Sequence, residues 1–252
     1  DSHRDSFVEN IWWIGGIVAL AAAVQSLAGF GFALVAISLL SLVIDLSLEL
    51  ARPLVLMMAL LSSTSLVMGY RKSLDWRAIA PLVISALVMI PVGLFSINYL
   101  PEQITLRGLG SFIVLYVIYD VLKTRTSLLL ALSGLSSPRW AYLFGGLSGF
   151  FTGALTIPGP PLAIYANSQA WSPKKLKANV PIILAIVQLM TLVGHLYEGN
   201  LTTEVWTLSL YSLPFFLVGM GVSAKLSAQI DEKRFKQVVL ILLGCIGLKL
   251  IV

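Results

Sequence analysis

Two breaks rich in glycine and proline interrupt long apolar segments of this sequence, and the residue types around them could bind an anion. The first break is QSLAGFGF at residues 25–32, inside an apolar stretch at 11–44. The second is TIPGPP at 156–161, inside the stretch at 140–166. A helix that restarts after a break presents N–H groups that lack intrahelical partners and carry partial positive charge. Two such helix starts facing each other would form an anion site without a buried lysine or arginine.

The candidate binding residues lie at the breaks and at nearby polar positions. Glycine lets the backbone approach a ligand, and proline suits a helix start because its missing N–H costs nothing there. Two polar positions of the sixth apolar segment are expected to line the cavity. An arginine at the outer end of the second segment could attract the anion, although an interfacial anchor is the favoured interpretation. The candidates are Gln25, Ser26, Gly29, Phe30, Gly31, Arg52, Thr152, Thr156, Gly159, Pro160, Asn179 and Gln188.

Each feature has a simpler structural alternative. One glycine or proline break in a membrane helix is more often a kink or a packing contact, but two breaks at equivalent positions favour a transport site. A serine or threonine beside a break could instead donate to the carbonyl four residues earlier in its own helix. For any single hydroxyl the two interpretations are equally weighted.

The composition is that of an integral membrane protein. Of the 252 residues, 58% are hydrophobic and 12% are charged, and the mean hydropathy is +0.90. Soluble domains carry about 25% charged residues. The net charge of +5 comes from bases in short loops between apolar segments, so it predicts topology and no nucleic-acid partner. The partners expected are membrane lipid and a small anion, and a homo-oligomer stays open.

The sequence consists of two related halves. Apolar runs fall at residues 11–44, 53–70, 77–99, 104–123, 140–168, 179–197, 204–226 and 235–252. The last four runs repeat features of the first four at an offset near 130 residues, as in the pairs Pro53 with Pro181 and Trp76 with Trp206. The predicted organisation is an N-terminal extracytoplasmic tail (1–10), a first repeat (11–123), a cytoplasmic linker (124–139) and a second repeat (140–252).

The distribution of basic residues predicts how the broken segments sit in the membrane. A helix of 34 residues would span about 51 Å against a hydrocarbon core of about 30 Å, so each broken segment is either a tilted crossing or a re-entrant hairpin. With hairpins and an outside N-terminus, 13 of the 17 bases face the cytoplasm, whereas single crossings give 9 against 8 at best. The thirteen are Arg71, Lys72, Arg77, Lys123, Arg125, Arg139, Lys174, Lys175, Lys177, Lys225, Lys233, Arg234 and Lys236.

The positive-inside rule therefore favours hairpins. Each repeat then crosses three times, so the second is inverted relative to the first. The predicted fold is an all-α polytopic integral membrane protein of two inverted repeats, each with one re-entrant or broken helical hairpin and three transmembrane helices. The expected location is the cell's inner (cytoplasmic) membrane.

Signals of enzymatic chemistry are absent from the sequence. No His/Cys cluster has metal-ligand spacing, and neither a nucleophile elbow nor a phosphate loop is present. The predictions are no enzyme, no cofactor and no metal. Asp120 is interpreted as interfacial rather than as a proton carrier, and His195 and Glu198 as solvated at the outer end of their segment.

Four motifs resemble the TauE/SafE sulfite exporter family. They are SLAGFGFAL at 26–34, SLDW at 73–76, GFFTG at 149–153 and IPGPPLAIY at 157–165. The resemblance covers nearly the whole chain, including the four-plus-four duplication. Where many members carry a glycine triplet at the break, this chain has GFGF and PGPP. The resemblance implies export of a small sulfur-containing anion such as sulfite or an organosulfonate.

Three functions stay open on the sequence. The favoured one is an exporter that works by alternating access at a midplane site between the two broken helices. An importer or exchanger of another small anion on the same scaffold is the first alternative. The second is an anion channel or a membrane scaffold that transports nothing.

Overall fold

The computed structural model describes residues 2–28, 31–97, 99–125, 138–169, 171–226 and 232–251. Within these ranges the chain forms ten α-helices and one short 3-10 turn, and no strand. The helices are α1 (Ser2–Ala28), α2 (Phe32–Val43), α3 (Leu48–Tyr70), α4 (Trp76–Ile97), α5 (Glu102–Arg125), α6 (Pro138–Leu155), α7 (Gly159–Ser168), α8 (Pro173–Tyr197), α9 (Thr203–Leu226) and α10 (Glu232–Ile251). The all-helical class predicted from the sequence is confirmed.

Both long apolar segments are broken where the glycine and proline residues predict. The first divides into α1 and α2, and the second into α6 and α7. Other boundaries differ from the apolar runs. Helix α1 begins at Ser2, inside the segment expected to be a tail. Helix α8 begins at Pro173 because Ser172 caps it, accepting the Lys175 N–H at 3.4 Å, so a polar first turn precedes the apolar run.

Five helices are long and apolar enough to cross a membrane: α3, α4, the central part of α5, α8 and α9. Apolar parts of α1 and α10, and the whole of α2, are shorter. Large apolar side chains cover the outer faces, among them Trp12, Val88 and Phe95, which are 63–68% exposed. Exposed apolar surface of this extent is expected where lipid is the solvent. The chain is a multi-pass membrane protein by length, composition and surface.

Glycines allow a close contact between α4 and α6. Gly145, Gly149 and Gly153 lie on one face of α6, and a Cβ at any of them would collide with α4 backbone, such as the Ala86 carbonyl against Gly149. Small residues four apart let two membrane helices approach this closely. Residue numbers rise together along the contact, so α4 and α6 run parallel.

The same arrangement recurs with the two halves exchanged. Helix α9 packs on α1, with Gly219 against Ala19 and Ser223 donating to the Ala23 carbonyl at 3.3 Å. These two helices also run parallel. In both cases the second simple helix of one half packs along the first part of the broken segment of the other half.

Two further pairs join equivalent helices of the two halves. Helices α3 and α8 run antiparallel, because Lys177 Nζ lies 5.8 Å from the Tyr70 ring, whereas Gln188, farther along α8, contacts Ser63 and Ala59, which come earlier on α3. Helices α5 and α10 also run antiparallel, with residues 110 and 117 facing 250 and 244 respectively. One apolar core cluster lies among α1, α2, α3 and their neighbours, and both breaks end in it, while a second cluster lies among α4, α6, α7 and α8.

Candidate functional site

The first break contains a glycine whose backbone lies in the left-handed region. Gly31 has φ 108°, a value that favours glycine strongly, and α2 begins directly after it. The side chain of Gln25 caps the new helix, because its Oε1 accepts the Phe32 N–H at 3.1 Å. The predicted residues Gly29 and Phe30 lie outside the described part of the chain.

The second break contains a threonine with a positive φ. Helix α6 ends at Leu155, and Thr156 has φ 62°, an unusual conformation for a β-branched residue. The chain then bends back, so that the Ile157 N–H donates to the Phe151 carbonyl at 3.2 Å. The Ser148 hydroxyl donates to the Pro158 carbonyl at 2.9 Å and holds the break against α6. Strained backbone of this kind is often found at functional sites.

The two breaks meet at one small buried cavity. It is lined by Gln25, Gly31, Ala33, Leu34, Ile157, Pro158, Gly159, Pro160, Leu184 and Gln188. Its volume is about 10 Å³, room for about one water molecule. Residues from α1, α2, α7 and α8 therefore line one space, although α1 and α2 lie in the first half of the chain and α7 and α8 in the second half.

The first turns of α2 and α7 differ in the backbone N–H groups that they can offer to a ligand. Within α2 the first intrahelical bond is from the Val35 N–H to the Gly31 carbonyl, so the helix provides no acceptor for the N–H groups of Ala33 and Leu34. At α7 the residues at 158, 160 and 161 are prolines, which have no N–H. Gly159 is therefore the residue of the first turn of α7 that can donate a backbone hydrogen bond.

A polar network lies behind the cavity in an otherwise apolar region. Gln25 Nε2 donates to the Ser63 hydroxyl at 3.1 Å. In the amide orientation that satisfies its surroundings, Gln188 Nε2 donates to the same hydroxyl at 2.9 Å, and to the Leu184 and Ala59 carbonyls at 3.2 Å. All three side chains are buried. Ser63 thus joins a glutamine from the first half of the chain to a glutamine from the second half.

Five of the predicted site residues line the cavity: Gln25, Gly31, Gly159, Pro160 and Gln188. The other described candidates lie apart from its lining. They are Ser26, Arg52, Thr152, Thr156 and Asn179.

The two threonines differ in how their hydroxyls are used. Thr152 donates to the Ser148 carbonyl at 2.5 Å, the bond within its own helix that the sequence left as an alternative. Thr156 is fully buried, and its hydroxyl has no partner among the described residues. A buried hydroxyl without a partner is costly, so Thr156 stays a candidate ligand that a small movement of the break could bring to the cavity.

Asn179 lies at the end of the molecule where α4 begins. Its Oδ1 accepts the Asp75 N–H at 3.0 Å, and Asp75 in turn caps α4 and pairs with Lys175 Nζ at 2.8 Å. The hydrogen bond from Lys175, with a smaller contribution from the Ala78 N–H, lowers the pKa of Asp75 below its ordinary value of 3.8. Asn179 therefore connects α8 to the turn before α4, which lies in the other half of the chain.

Arg52 is buried and not exposed at an interface. It is 7% exposed, its Nη1 donates to the Ala154 carbonyl at 3.3 Å, and its Nε donates to the Leu48 carbonyl at 3.2 Å. A cation at the last carbonyls of a helix complements the helix dipole, so Arg52 stabilises the end of α6 beside the second break. The interpretation as an interfacial anchor is wrong for this reason.

Two other titratable residues are also more buried than the sequence predicts. His195 is 1% exposed, with its Nδ1 3.0 Å from the Asn200 side-chain nitrogen, so it is not solvated. Asp120 is 3% exposed and is not an exposed interfacial residue. Each lies on the inward face of its helix, a position that a count of apolar residues cannot reveal.

Ser63 and Ser148 are the polar site residues that the sequence analysis missed. Ser63 sits in the run SSTS at 62–65, within an otherwise apolar helix. Such a polar run in a membrane span was the available signal for Ser63. Ser148 had no comparable signal, because its role depends on the bend that brings Pro158 back to α6.

Comparison with known proteins identifies the same family that the sequence motifs resemble. The Sulfite exporter TauE/SafE family matches residues 14–250. A probable sulfite/organosulfonate exporter TauE from Cupriavidus necator is 22% identical over 209 residues, covering 81% of this chain and 80% of the relative. No solved structure matches the chain significantly. The match over nearly the full length, together with the paired breaks, means that this chain belongs to the TauE/SafE sulfite exporter family, a family of transporters and not of enzymes.

Proposed function

We propose that the protein exports a small sulfur-containing anion, sulfite or an organosulfonate, across the cytoplasmic membrane. The anion would bind between the two helix breaks and reach each side by alternating access. Family membership and the printed name of the Cupriavidus relative support the substrate class. The observation that carries the proposal is the convergence of both breaks and of Gln25 and Gln188 on one buried cavity.

The donors at this cavity fit an oxyanion. The N–H groups of Ala33 and Leu34 come from the positive end of α2, and Gly159 provides one from α7. Gln188 lines the cavity from the facing helix, and its bond to the Ser63 hydroxyl helps to hold the lining in place. Hydrogen bonds to a charged group are worth about 1.5–3 kcal/mol each, so several shared donors replace much of the hydration that the anion loses.

Helix directions support an inverted-repeat topology. Helices α3 and α8 are equivalent and antiparallel, as are α5 and α10, which is expected if one half is turned over relative to the other. Consecutive spans joined by short loops alternate in direction, so α9 runs in the direction of α3. Because α1 is parallel to α9, α1 and α3 begin on the same side of the membrane. Helix α2 must then return the chain to that side, as in a re-entrant hairpin.

The size of the cavity favours alternating access over an open pore. A space of about 10 Å³ cannot hold a sulfonate group, so binding would require the two breaks to move apart. Opening would require one hairpin to move relative to the helices that surround it. The short helices α2 and α7, of 12 and 10 residues, are the smallest units that could do so.

Export needs no coupling ion. A negative-inside potential drives a monovalent anion outward with about 2.3 kcal/mol per 100 mV. No carboxylate is among the described residues that line the cavity. An importer would need a coupling ion and an exchanger a counter-anion, while a channel would pass an unsaturable current.

Flux measurements on reconstituted vesicles test this function. We expect saturable outward transport of sulfite that increases with a negative-inside potential. Gln188→Ala should raise KM several-fold, because it removes a lining side chain together with its bond to the Ser63 hydroxyl. Thr191→Ala is the matched control, since Thr191 lies one turn along α8 and donates to the Val187 carbonyl of its own helix at 2.9 Å. Equal effects of the two substitutions, or unsaturable flux, would argue against the proposal.

A further inference from the structure

The lining of the cavity carries dipoles but no full charge. Among the described lining residues the polar groups are the amides of Gln25 and Gln188 and backbone N–H groups, and all other side chains are apolar. Residues 29 and 30, which complete the first break in sequence, are a glycine and a phenylalanine. Whatever anion binds here is held by partial charges alone.

This lining limits the charge of the anion that it can hold. The cost of taking an ion out of water rises with the square of its charge, so a dianion pays about four times as much as a monoanion of the same size. The attraction of fixed dipoles rises only in proportion to the charge. A site of amides and helix N-termini can therefore balance one negative charge, whereas a second would need a cation at the site.

We propose that this site transports monoanions and rejects dianions of the same shape. Its substrates would be hydrogensulfite and alkanesulfonates, and it would exclude the sulfite dianion and sulfate. This inference rests on the proposed function and adds to it the charge state of the transported anion. Sulfite near neutral pH is a mixture of hydrogensulfite and the dianion, so the protein would carry only the protonated fraction.

The buried titratable groups around the cavity do not provide the missing cation. Arg52 of α3 binds the carbonyls of Ala154 and Leu48 and is not in the lining. His195 of α8 and Asp120 of α5 are buried, and they too lie outside the lining. Because no described lining residue titrates, the pH dependence of transport should follow the substrate.

The test compares three anions in vesicles that contain the wild-type protein, at a fixed membrane potential and without a pH gradient. Methanesulfonate is a monoanion at every pH used, sulfate is a dianion, and sulfite changes between the two around neutral pH. We expect sulfite flux to rise as pH falls, in proportion to the hydrogensulfite fraction. Methanesulfonate flux should stay constant, and sulfate flux should be at least tenfold lower. Protein-free vesicles give the passive leak of the undissociated acid, which is subtracted.

A second measurement uses a variant that places a positive charge in the lining, where the wild-type protein has none among the described residues. Gln188→Lys should lower the ratio of methanesulfonate to sulfate flux about tenfold, whereas Gln188→Met, which removes the amide without adding charge, should leave that ratio unchanged. Sulfite flux that is independent of pH, or equal flux of sulfate and methanesulfonate in the wild type, would overturn the charge selection only. Absence of flux for all three anions would overturn the proposed function itself.

Discussion

Removing the Ser63 hydroxyl tests whether the two repeats are joined through the site. Ser63→Ala takes away the acceptor for Gln25 Nε2 at 3.1 Å and for Gln188 Nε2 at 2.9 Å. Gln188 keeps the carbonyls of Leu184 and Ala59, so the larger loss falls on Gln25. A buried donor left unsatisfied costs about 1–3 kcal/mol, which sets the expected decrease in the free energy of unfolding.

For a chain of this length such a decrease corresponds to a melting temperature lower by about 2–12 °C. We also expect a higher KM for the transported anion, because both cavity glutamines lose their common anchor. Thermal denaturation in detergent and flux in vesicles measure the two effects. Ser62→Ala is the matched control: Ser62 is equally buried, but among the described residues its hydroxyl contacts only the weak acceptor Met220 Sδ, at 3.7 Å. If Ser62→Ala and Ser63→Ala behave alike in both assays, the network does not position the glutamines.

Three further predictions concern packing, pH and topology. Gly149→Ala should lower the melting temperature because its Cβ would meet the Ala86 carbonyl, at a cost of about 1–3 kcal/mol, whereas Gly16→Ala, with nothing within 4 Å, should not. Because the pKa of Asp75 is lowered in the folded protein, its pairing with Lys175 stabilises the fold above the ordinary value of 3.8 and is lost as pH falls through the lowered pKa. The difference in melting temperature between wild type and Asp75→Asn should therefore vanish in acid, and a difference that grows there would contradict the pairing. Cysteines placed at positions 47 and 198 should be labelled from outside the cell and cysteines at 73 and 175 from inside; labelling of position 47 from the cytoplasm would contradict the hairpin topology.

The sequence predicts the helical class and the two breaks because both depend on local chemistry. Gly31 adopts a backbone conformation that glycine favours, and the prolines around Gly159 start a helix at the expected place. The strained residue of the second break is nevertheless Thr156. Backbone preference alone would have predicted a positive φ at Gly159, the glycine of this break, rather than at a β-branched residue.

Side-chain partners at the site could be predicted only in part. Gln25 and Gln188 were identified as polar residues in apolar segments, and both line the cavity. Asn179 is just as polar, but it lies about two and a half turns earlier on the opposite face of α8, where it bonds to the turn before α4. Which of the two faces lines the cavity depends on the packing of α8 against its neighbours, and a single sequence does not contain that information.

Burial of charged residues was the least predictable feature. Arg52 stands before a proline near the start of α3, where an interfacial position is the ordinary expectation. The broken segment of the second repeat places the end of α6 beside it, and the Ala154 carbonyl supplies its partner. That contact joins residues 102 positions apart, so it follows from the fold and not from any local pattern.

Transport by two variants in vesicles at a set potential tests the central claim, that the anion binds between the two breaks. Gly159→Val changes a residue that lines the cavity at the start of α7, while Asp120→Asn removes a buried carboxylate that lies outside the lining. With both variants checked for an unchanged melting profile, we expect Gly159→Val to lose most sulfite efflux and Asp120→Asn to retain it. Normal efflux by Gly159→Val together with loss of efflux in Asp120→Asn would contradict the claim, and would place the essential chemistry on α5.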